Sequence, residues 1–73
     1  MKSAFRIKRI TVIGTSTTYK KPDSILNYIY DPNAEEAFVI LEREGEVKLE
    51  FVSDLREEYA VFKLDEEVLA IPK

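Results

Sequence analysis

The side chains with the clearest chemical meaning in this sequence are basic ones near its start. The first 21 residues contain six lysines and arginines and no acid, whereas residues 22–73 contain all 14 carboxylates and five basic side chains. If the fold keeps these blocks on different faces, one face attracts anions although the net charge is −3. Lys and Arg neutralise phosphates, and Tyr or Phe stack on bases. The pattern therefore predicts a nucleic-acid partner.

Two segments of the basic block supply the candidate contacts. In the first predicted strand, Arg6 and Lys8 alternate with apolar residues, so both cations lie on one face. The loop that follows contains a compact group of one aromatic and two cationic side chains, and barrel loops often carry binding residues. The predicted nucleic-acid site consists of Arg6, Lys8, Arg9, Tyr19, Lys20 and Lys21.

An alternative interpretation of the same cations is purely structural. Arg6, Lys8 and Arg9 would pair across the sheet with acids such as Glu42 and Glu50 and form a surface ion-pair network. The isoelectric point near 4.9 agrees with that alternative, because dedicated nucleic-acid domains often exceed about 9. Any nucleic-acid binding is therefore expected to be modest and sensitive to salt.

The second hypothesis is a protein-interaction or homo-oligomeric assembly module. The basic segment of one subunit would meet the acidic carboxy-terminal half of another. In a strand over residues 25–30, Tyr28 and Tyr30 share a face while Ile25 and Ile29 occupy the other, so neither face is polar. Tyr28 and Tyr30 are accordingly the predicted protein interface, since exposed aromatic residues are enriched at binding hot spots. Burial of both faces in a tightly rolled barrel is the alternative.

Catalysis is not expected. The chain has neither His nor Cys, the most versatile acid-base and nucleophilic groups near neutral pH. The adjacent acid pairs 35–36, 57–58 and 66–67 could hold Mg²⁺ or act as acid and base, but all three fall at predicted turns, where solvated charge is the simpler explanation. The loop at Gly14 lacks the second Gly and the Lys of a phosphate-binding loop. We predict no enzyme activity, no metal and no cofactor, with binding to nucleic acid ranked ahead of binding to protein.

The elements that must position these residues are mostly strands. Apolar residues recur with period two and are rich in Val, Ile, Phe and Tyr. A bulge near Lys8 and Arg9 reconciles two phases within the first strand, and Glu44–Gly45 forms a tight hairpin. Asp54 and Glu57 fit a capping box that opens one helical turn. The predicted strands cover residues 5–13, 25–30, 37–41, 47–52, 59–64 and 68–71, and the helical turn covers residues 53–58.

The predicted fold class is all-β, a single domain over residues 1–73 with five to six short antiparallel strands closed into a small barrel. Closure removes exposed sheet edges. The order of strands, loops and the single helical turn resembles a Src-homology-3-like barrel with an added terminal strand, a resemblance of layout alone. An oligonucleotide-binding barrel is the alternative, but residues 42–46 leave no space for its usual helix.

Composition limits the setting. Without cysteine there are no disulfides or thiolate metal sites, which predicts an intracellular, cytoplasmic protein. No apolar run approaches the roughly 20 residues of a spanning helix, and the start of the chain lacks a signal-peptide pattern, so neither membrane insertion nor export is expected. The absence of Gln and the abundance of Glu, Lys and Arg resemble proteins that work at high temperature.

Overall fold

The protein forms one six-stranded antiparallel sheet with two short helices, as a computed structural model describes for residues 3–73. The elements are β1 (Phe5–Val12), β2 (Thr18–Tyr19), α1 (Pro22–Tyr30), β3 (Ala37–Arg43), β4 (Glu46–Phe51), α2 (Val52–Glu58), β5 (Tyr59–Leu64) and β6 (Glu67–Pro72).

The sheet has the order β4-β3-β1-β6-β5, and every pairing is antiparallel. Two-residue β2 shares one edge of β1 with β6, because it pairs at Ile10 and Thr11 whereas β6 pairs at Phe5 and Arg6. The predicted antiparallel sheet is confirmed. The sheet is open, with β4 and β5 at its ends, so the predicted barrel is not confirmed. The two helices pack on one face of this open sheet.

The predicted bulge in β1 is confirmed. Its register with β3 shifts between Ile7 and Arg9, which leaves one extra residue, Lys8, on the β1 side. Ile7 and Ile10 are consequently both buried although three positions separate them. The bulge turns a sequence with two apolar phases into a strand with one apolar face.

The predicted strand over residues 25–30 is wrong, because this segment lies in helix α1 (Pro22–Tyr30). Pro22 occupies the first turn, where its missing N–H is not needed, and Asp23 complements the helix dipole. Ile25 and Ile29, one helical turn apart, are the residues that α1 buries. The prediction of at most one helical turn fails with it.

The second helix is present where a helical turn was predicted, but its cap differs. Helix α2 begins at Val52, and no side chain of the residue before it forms a cap, so the predicted capping box is wrong. The carboxylate of Glu36 caps the helix from outside it. Its Oε1 accepts the Ser53 N–H at 3.1 Å, and its Oε2 accepts the Ser53 hydroxyl at 2.6 Å. These hydrogen bonds lower the pKa of Glu36 despite an opposing effect of burial.

The predicted tight hairpin between β3 and β4 is confirmed. Glu44 and Gly45 both have positive φ, 48° and 85°, as a two-residue hairpin of this kind requires. A second two-residue loop, at Asp65–Glu66, joins β5 to β6. Both loops fix the register of the strands that they connect.

The core lies between one face of the sheet and the two helices. Ile10, Val39 and Leu41 of the sheet are fully buried against Ile29 of α1 and Leu55 of α2. We call this side of the sheet the inner face and the opposite side, which neither helix covers, the outer face.

One side chain of α2 also holds the end of α1. The Arg56 guanidinium donates to the carbonyl oxygens of Ile29 at 2.6 Å, Asp31 at 2.6 Å and Tyr28 at 3.3 Å. These carbonyls belong to the last turn of α1 and its cap, and those of Tyr28 and Asp31 also accept the N–H groups of Asp31 and Ala34. Arg56 therefore couples the two helices over the inner face.

Candidate functional site

The outer face of the sheet is the candidate site. Cross-strand partners in an antiparallel sheet share a face, so the strand register decides its membership. The outer face consists of Arg6, Arg9, Thr11, Phe38, Ile40, Glu42, Val47, Leu49, Phe51, Ala60, Phe62, Leu64, Glu67, Leu69 and Ile71. Most of its side chains are apolar, although no helix packs on them.

One end of the outer face is an apolar strip on β3 and β4. We define the β4 strip as Phe38, Ile40, Val47, Leu49 and Phe51. The rings of Phe38 and Phe51 lie 5.1 Å apart, and exposure along β4 ranges from 41% at Phe51 to 65% at Val47. The alternation of these residues with Glu46, Lys48 and Glu50 was visible in the sequence. Sequence reasoning missed the strip because an apolar strand face was assumed to be core.

The other end carries a second apolar strip, the β5–β6 strip, which consists of Phe62, Leu64, Leu69 and Ile71. Phe62 lies opposite Leu69 and remains 38% exposed, while Leu64 is 56% exposed. Contiguous apolar surface of this kind marks interaction sites more often than scattered single residues do.

Between the strips run the predicted nucleic-acid residues of β1, and two of them are neutralised. Arg6 contacts Glu42 at 2.5 Å and Glu67 at 3.7 Å, and the Lys8 ammonium lies 3.9 Å from Glu42. The hydrogen bond with Glu42 raises the pKa of Arg6 and, reciprocally, lowers that of Glu42. Arg9 is exposed and has no ion-pair partner within residues 3–73.

The predicted loop residues separate in the structure. Tyr19 pairs with Ile10 on the inner side, where its ring lies 5.5 Å from that of Tyr28. Lys20 lines a groove of about 260 Å³ together with Arg6 and Lys8, and Glu66 and Glu67 line the same groove. Exposed Lys21 directly precedes α1. The fold thus brings Arg6, Lys8 and Lys20 together and places Tyr19 elsewhere.

Both predicted interface tyrosines bind their own chain. The half-buried Tyr28 hydroxyl donates to the Glu35 carbonyl at 2.6 Å, and burial followed by the charge of Glu35 raises the pKa of Tyr28. Tyr30 is 64% exposed, and its hydroxyl donates to the carbonyl of Val61 in edge strand β5. The exposed ring of Tyr30 remains available to a partner, whereas its hydroxyl is engaged.

A cleft of about 590 Å³ opens where β4 approaches the start of β5. Tyr59 lies in its wall and accepts a hydrogen bond from the Lys48 ammonium at 3.1 Å. The Tyr59 hydroxyl in turn donates to Glu50 at 3.2 Å, and the bonds to Tyr59 and then Glu50 raise the pKa of Lys48. These side-chain hydrogen bonds connect Lys48 and Glu50 to the start of β5 without pairing the two strands, and they favour the protonated form of Lys48.

Three carboxylates converge at the junction of β4 and α2. Oxygens of Glu50, Asp54 and Glu58 all lie within 4.8 Å of one another. The spacing of four residues, which continues from the end of β4 into a helix, was the signal in the sequence. Oxygen-only sets suit hard cations such as Ca²⁺ and Mg²⁺, and these residues are the ones that could hold such an ion. Acidic clusters are common on surfaces, so this one alone does not define a site.

No family model, curated protein or solved structure matches this chain. Within residues 3–73, neither helix is long and apolar enough to cross a membrane.

Proposed function

We propose that this protein is a non-catalytic interaction module that binds other protein chains through the outer face of its sheet. The observation that carries this proposal is the exposure of two apolar strips on a sheet whose inner face already has a complete core. Val47, Leu49 and Leu64 are each more than half exposed, while the core residues beneath them are almost entirely buried. Exposed apolar surface that the fold does not need is best explained by a partner.

The charges on the outer face also favour a protein partner. Arg6 and Lys8 are neutralised by Glu42 and Glu67, which leaves Arg9 as the basic residue of β1 without an acid beside it among the described residues. A face with one unpaired cation between two apolar strips suits an extended peptide that carries alternating apolar side chains. Such a peptide buries apolar area and, unlike a nucleic acid, does not require a row of cations to neutralise phosphates.

The test is selection of peptides from a displayed random library on the immobilised protein, followed by dissociation constants for the selected peptides. Leu49→Asp and Phe62→Asp place a charge in the middle of each strip. We expect the variant whose charge lies in the peptide-binding strip to bind the selected peptides at least about tenfold more weakly, equivalent to about 1.4 kcal/mol. Asn27→Asp introduces the same charge on an exposed position of α1 and serves as the control. Affinities that neither strip variant changes would refute the proposal.

Nucleic-acid binding is the second candidate, and a specific observation supports it. Arg9, Lys20 and Lys21 are exposed and have no ion-pair partner within residues 3–73. Fluorescence anisotropy of labelled DNA and RNA at low and moderate salt tests this function. Replacing all three cations by Glu should abolish binding, and the affinity of the native protein should fall linearly in log salt. No association at low salt would exclude it.

A further inference from the structure

We infer that one partner of this module is a second copy of the same chain, paired through the free edge of β4 with Leu49 opposite the partner's Leu49. This inference rests on the proposed function, because it places the β4 strip inside a protein interface. It goes further by naming the partner, the strand and the register.

The main chain of β4 is prepared for such pairing. In the described chain β4 pairs only with β3, and a two-residue hairpin makes Arg43 and Glu46 the first hydrogen-bonded pair. Hydrogen-bonded and non-hydrogen-bonded pairs alternate along an antiparallel ladder. The N–H and C=O groups of Val47, Leu49 and Phe51 therefore point away from β3.

Strand β5, at the opposite edge of the sheet, follows the same alternation, but one of its outward groups is engaged by α1. Leu64 and Glu67 form the first hydrogen-bonded pair after the loop between β5 and β6, so the same alternation makes the Val61 carbonyl point away from β6. That carbonyl accepts the hydroxyl hydrogen of Tyr30. The Lys63 ammonium beside it bonds Asp23 of α1 at 2.9 Å. Helix α1 thus obstructs the edge at β5. On β4, Lys48 and Glu50 bond Tyr59 through their side chains, but no second strand pairs with the outward main-chain groups in the described chain.

Charge complementarity and main-chain pairing together select one register. With Leu49 opposite the partner's Leu49, Lys48 faces the partner's Glu50 on both sides of the two-fold axis. All outward groups of residues 47, 49 and 51 then find partners, because Val47 lies opposite the partner's Phe51. A pair centred on Val47 also places Lys48 opposite the partner's Glu46, but Phe51 then lies beyond the partner's hairpin and its outward groups stay unpaired. Centring the pair on Lys48 places like charges opposite each other, and centring it on Glu50 does the same.

The same register joins the two β4 strips on the outer face. Leu49 contacts its own copy, and Val47 contacts the partner's Phe51, so the exposed side chains of β4 cover one another. One strand per subunit buries less than the roughly 1,200 Å² of a stable interface, so the dimer should be weak and depend on concentration.

The decisive experiment uses two charge reversals and sedimentation equilibrium from micromolar to millimolar protein. The native chain should approach twice its 8.5 kDa mass at the upper end. Lys48→Glu and Glu50→Lys should each remain monomeric, because like charges then face each other across the axis. A one-to-one mixture of the two variants should dimerise, since every Glu then faces a Lys.

Mixing separates the interface from the internal contact of the same residues. Lys48 and Glu50 lie 3.3 Å apart within one chain, and both single variants lose that contact. Mixing cannot restore it, so regained dimer mass must come from pairs between subunits. Lys20→Glu is the control with the same change of charge, and it should dimerise like the native chain.

A cysteine variant covers the case in which a charge reversal impairs folding. The native chain has no cysteine, so Leu49→Cys places a single thiol on the two-fold axis within disulfide range. Mild oxidation should convert it to covalent dimer at least about tenfold faster than Phe62→Cys. Equal rates would overturn the inference.

The outcomes distinguish this inference from the proposed function. A native chain that stays monomeric at millimolar concentration while its outer face still binds selected peptides overturns the dimer and leaves the interaction module standing. Dimers that persist in both single charge variants overturn this register. A dimer that behaves as expected, combined with unchanged peptide affinities in the strip variants, supports the dimer and refutes the wider interaction function.

Discussion

The contact between Arg56 and the end of α1 predicts a large loss of stability from one substitution. Arg56→Ala removes a guanidinium that donates to three main-chain carbonyls at 2.6, 2.6 and 3.3 Å. Arg56→Lys keeps the charge but cannot reach three acceptors with its compact ammonium group.

The expected size follows from these hydrogen bonds. Each bond to a charged donor stabilises by about 1.5–3 kcal/mol when buried, but Arg56 is half-buried and the freed carbonyls recover contact with water. We therefore expect a loss of about 2–3 kcal/mol from Arg56→Ala and about half of that from Arg56→Lys. A 73-residue domain has a free energy of unfolding of about 4–11 kcal/mol, so the larger loss removes a substantial part of it.

Urea denaturation followed by circular dichroism measures the free energy, and thermal unfolding should show a Tm lower by about 10–20 °C for Arg56→Ala. Arg9→Ala is the matched control, because Arg9 is exposed and forms no ion pair within the described chain. It should change stability by less than about 0.5 kcal/mol. Equal effects of the two alanine variants would show that Arg56 does not hold the helices together.

Two further predictions concern the cap of α2 and the outer face. The folded pKa of Glu36 lies below its ordinary value of 4.5, so its stabilisation is fully present above that pH and is lost as the pH falls through the folded pKa. Glu36→Gln should therefore lower stability by about 1 kcal/mol at pH 7 and should differ progressively less from the native chain as the pH falls below 4.5, as denaturation across that range would show. Leu49→Thr on the outer face should change the free energy of unfolding of the monomer by less than about 1 kcal/mol, whereas Leu41→Ala in the core should lower it by about 2–5 kcal/mol. A loss from Leu49→Thr as large as that from Leu41→Ala would contradict the description of the outer face as free surface.

Much of the sheet could be predicted from local pattern. The bulge at Lys8 follows from the phase change between Ile7 and Ile10, and the hairpin at Gly45 follows from turn chemistry between two β runs. Both features depend on neighbours in sequence, which a single chain displays directly.

The helix α1 shows where local pattern misleads. Residues 25–30 contain β-branched and aromatic side chains, which favour strands, but Ile25 and Ile29 also stand one helical turn apart. Packing against the sheet decides between these readings, and the sequence alone does not contain that contact. Assignment of 25–30 to a strand also placed Tyr28 and Tyr30 on one strand face.

The candidate site depended on tertiary structure still more. The basic residues of β1 were recognisable as a group, but their neutralisation by Glu42 and Glu67 comes from strands about 36 and 61 positions away from Arg6. The apolar outer face could not be recognised from sequence, because Val47 and Leu49 have the residue types of a core. Their exposure becomes evident only when both helices are known to lie on the other side of the sheet.

The hydroxyl of Tyr30 on the Val61 carbonyl has a consequence for how far association can proceed. Pairing two β4 strands uses the open edge of both chains and leaves β5 at each end of the joined sheet. At both ends a tyrosine already occupies an outward carbonyl that an incoming strand would need. In the dimer that we infer, growth would therefore stop at two chains, without polymerisation into fibrils.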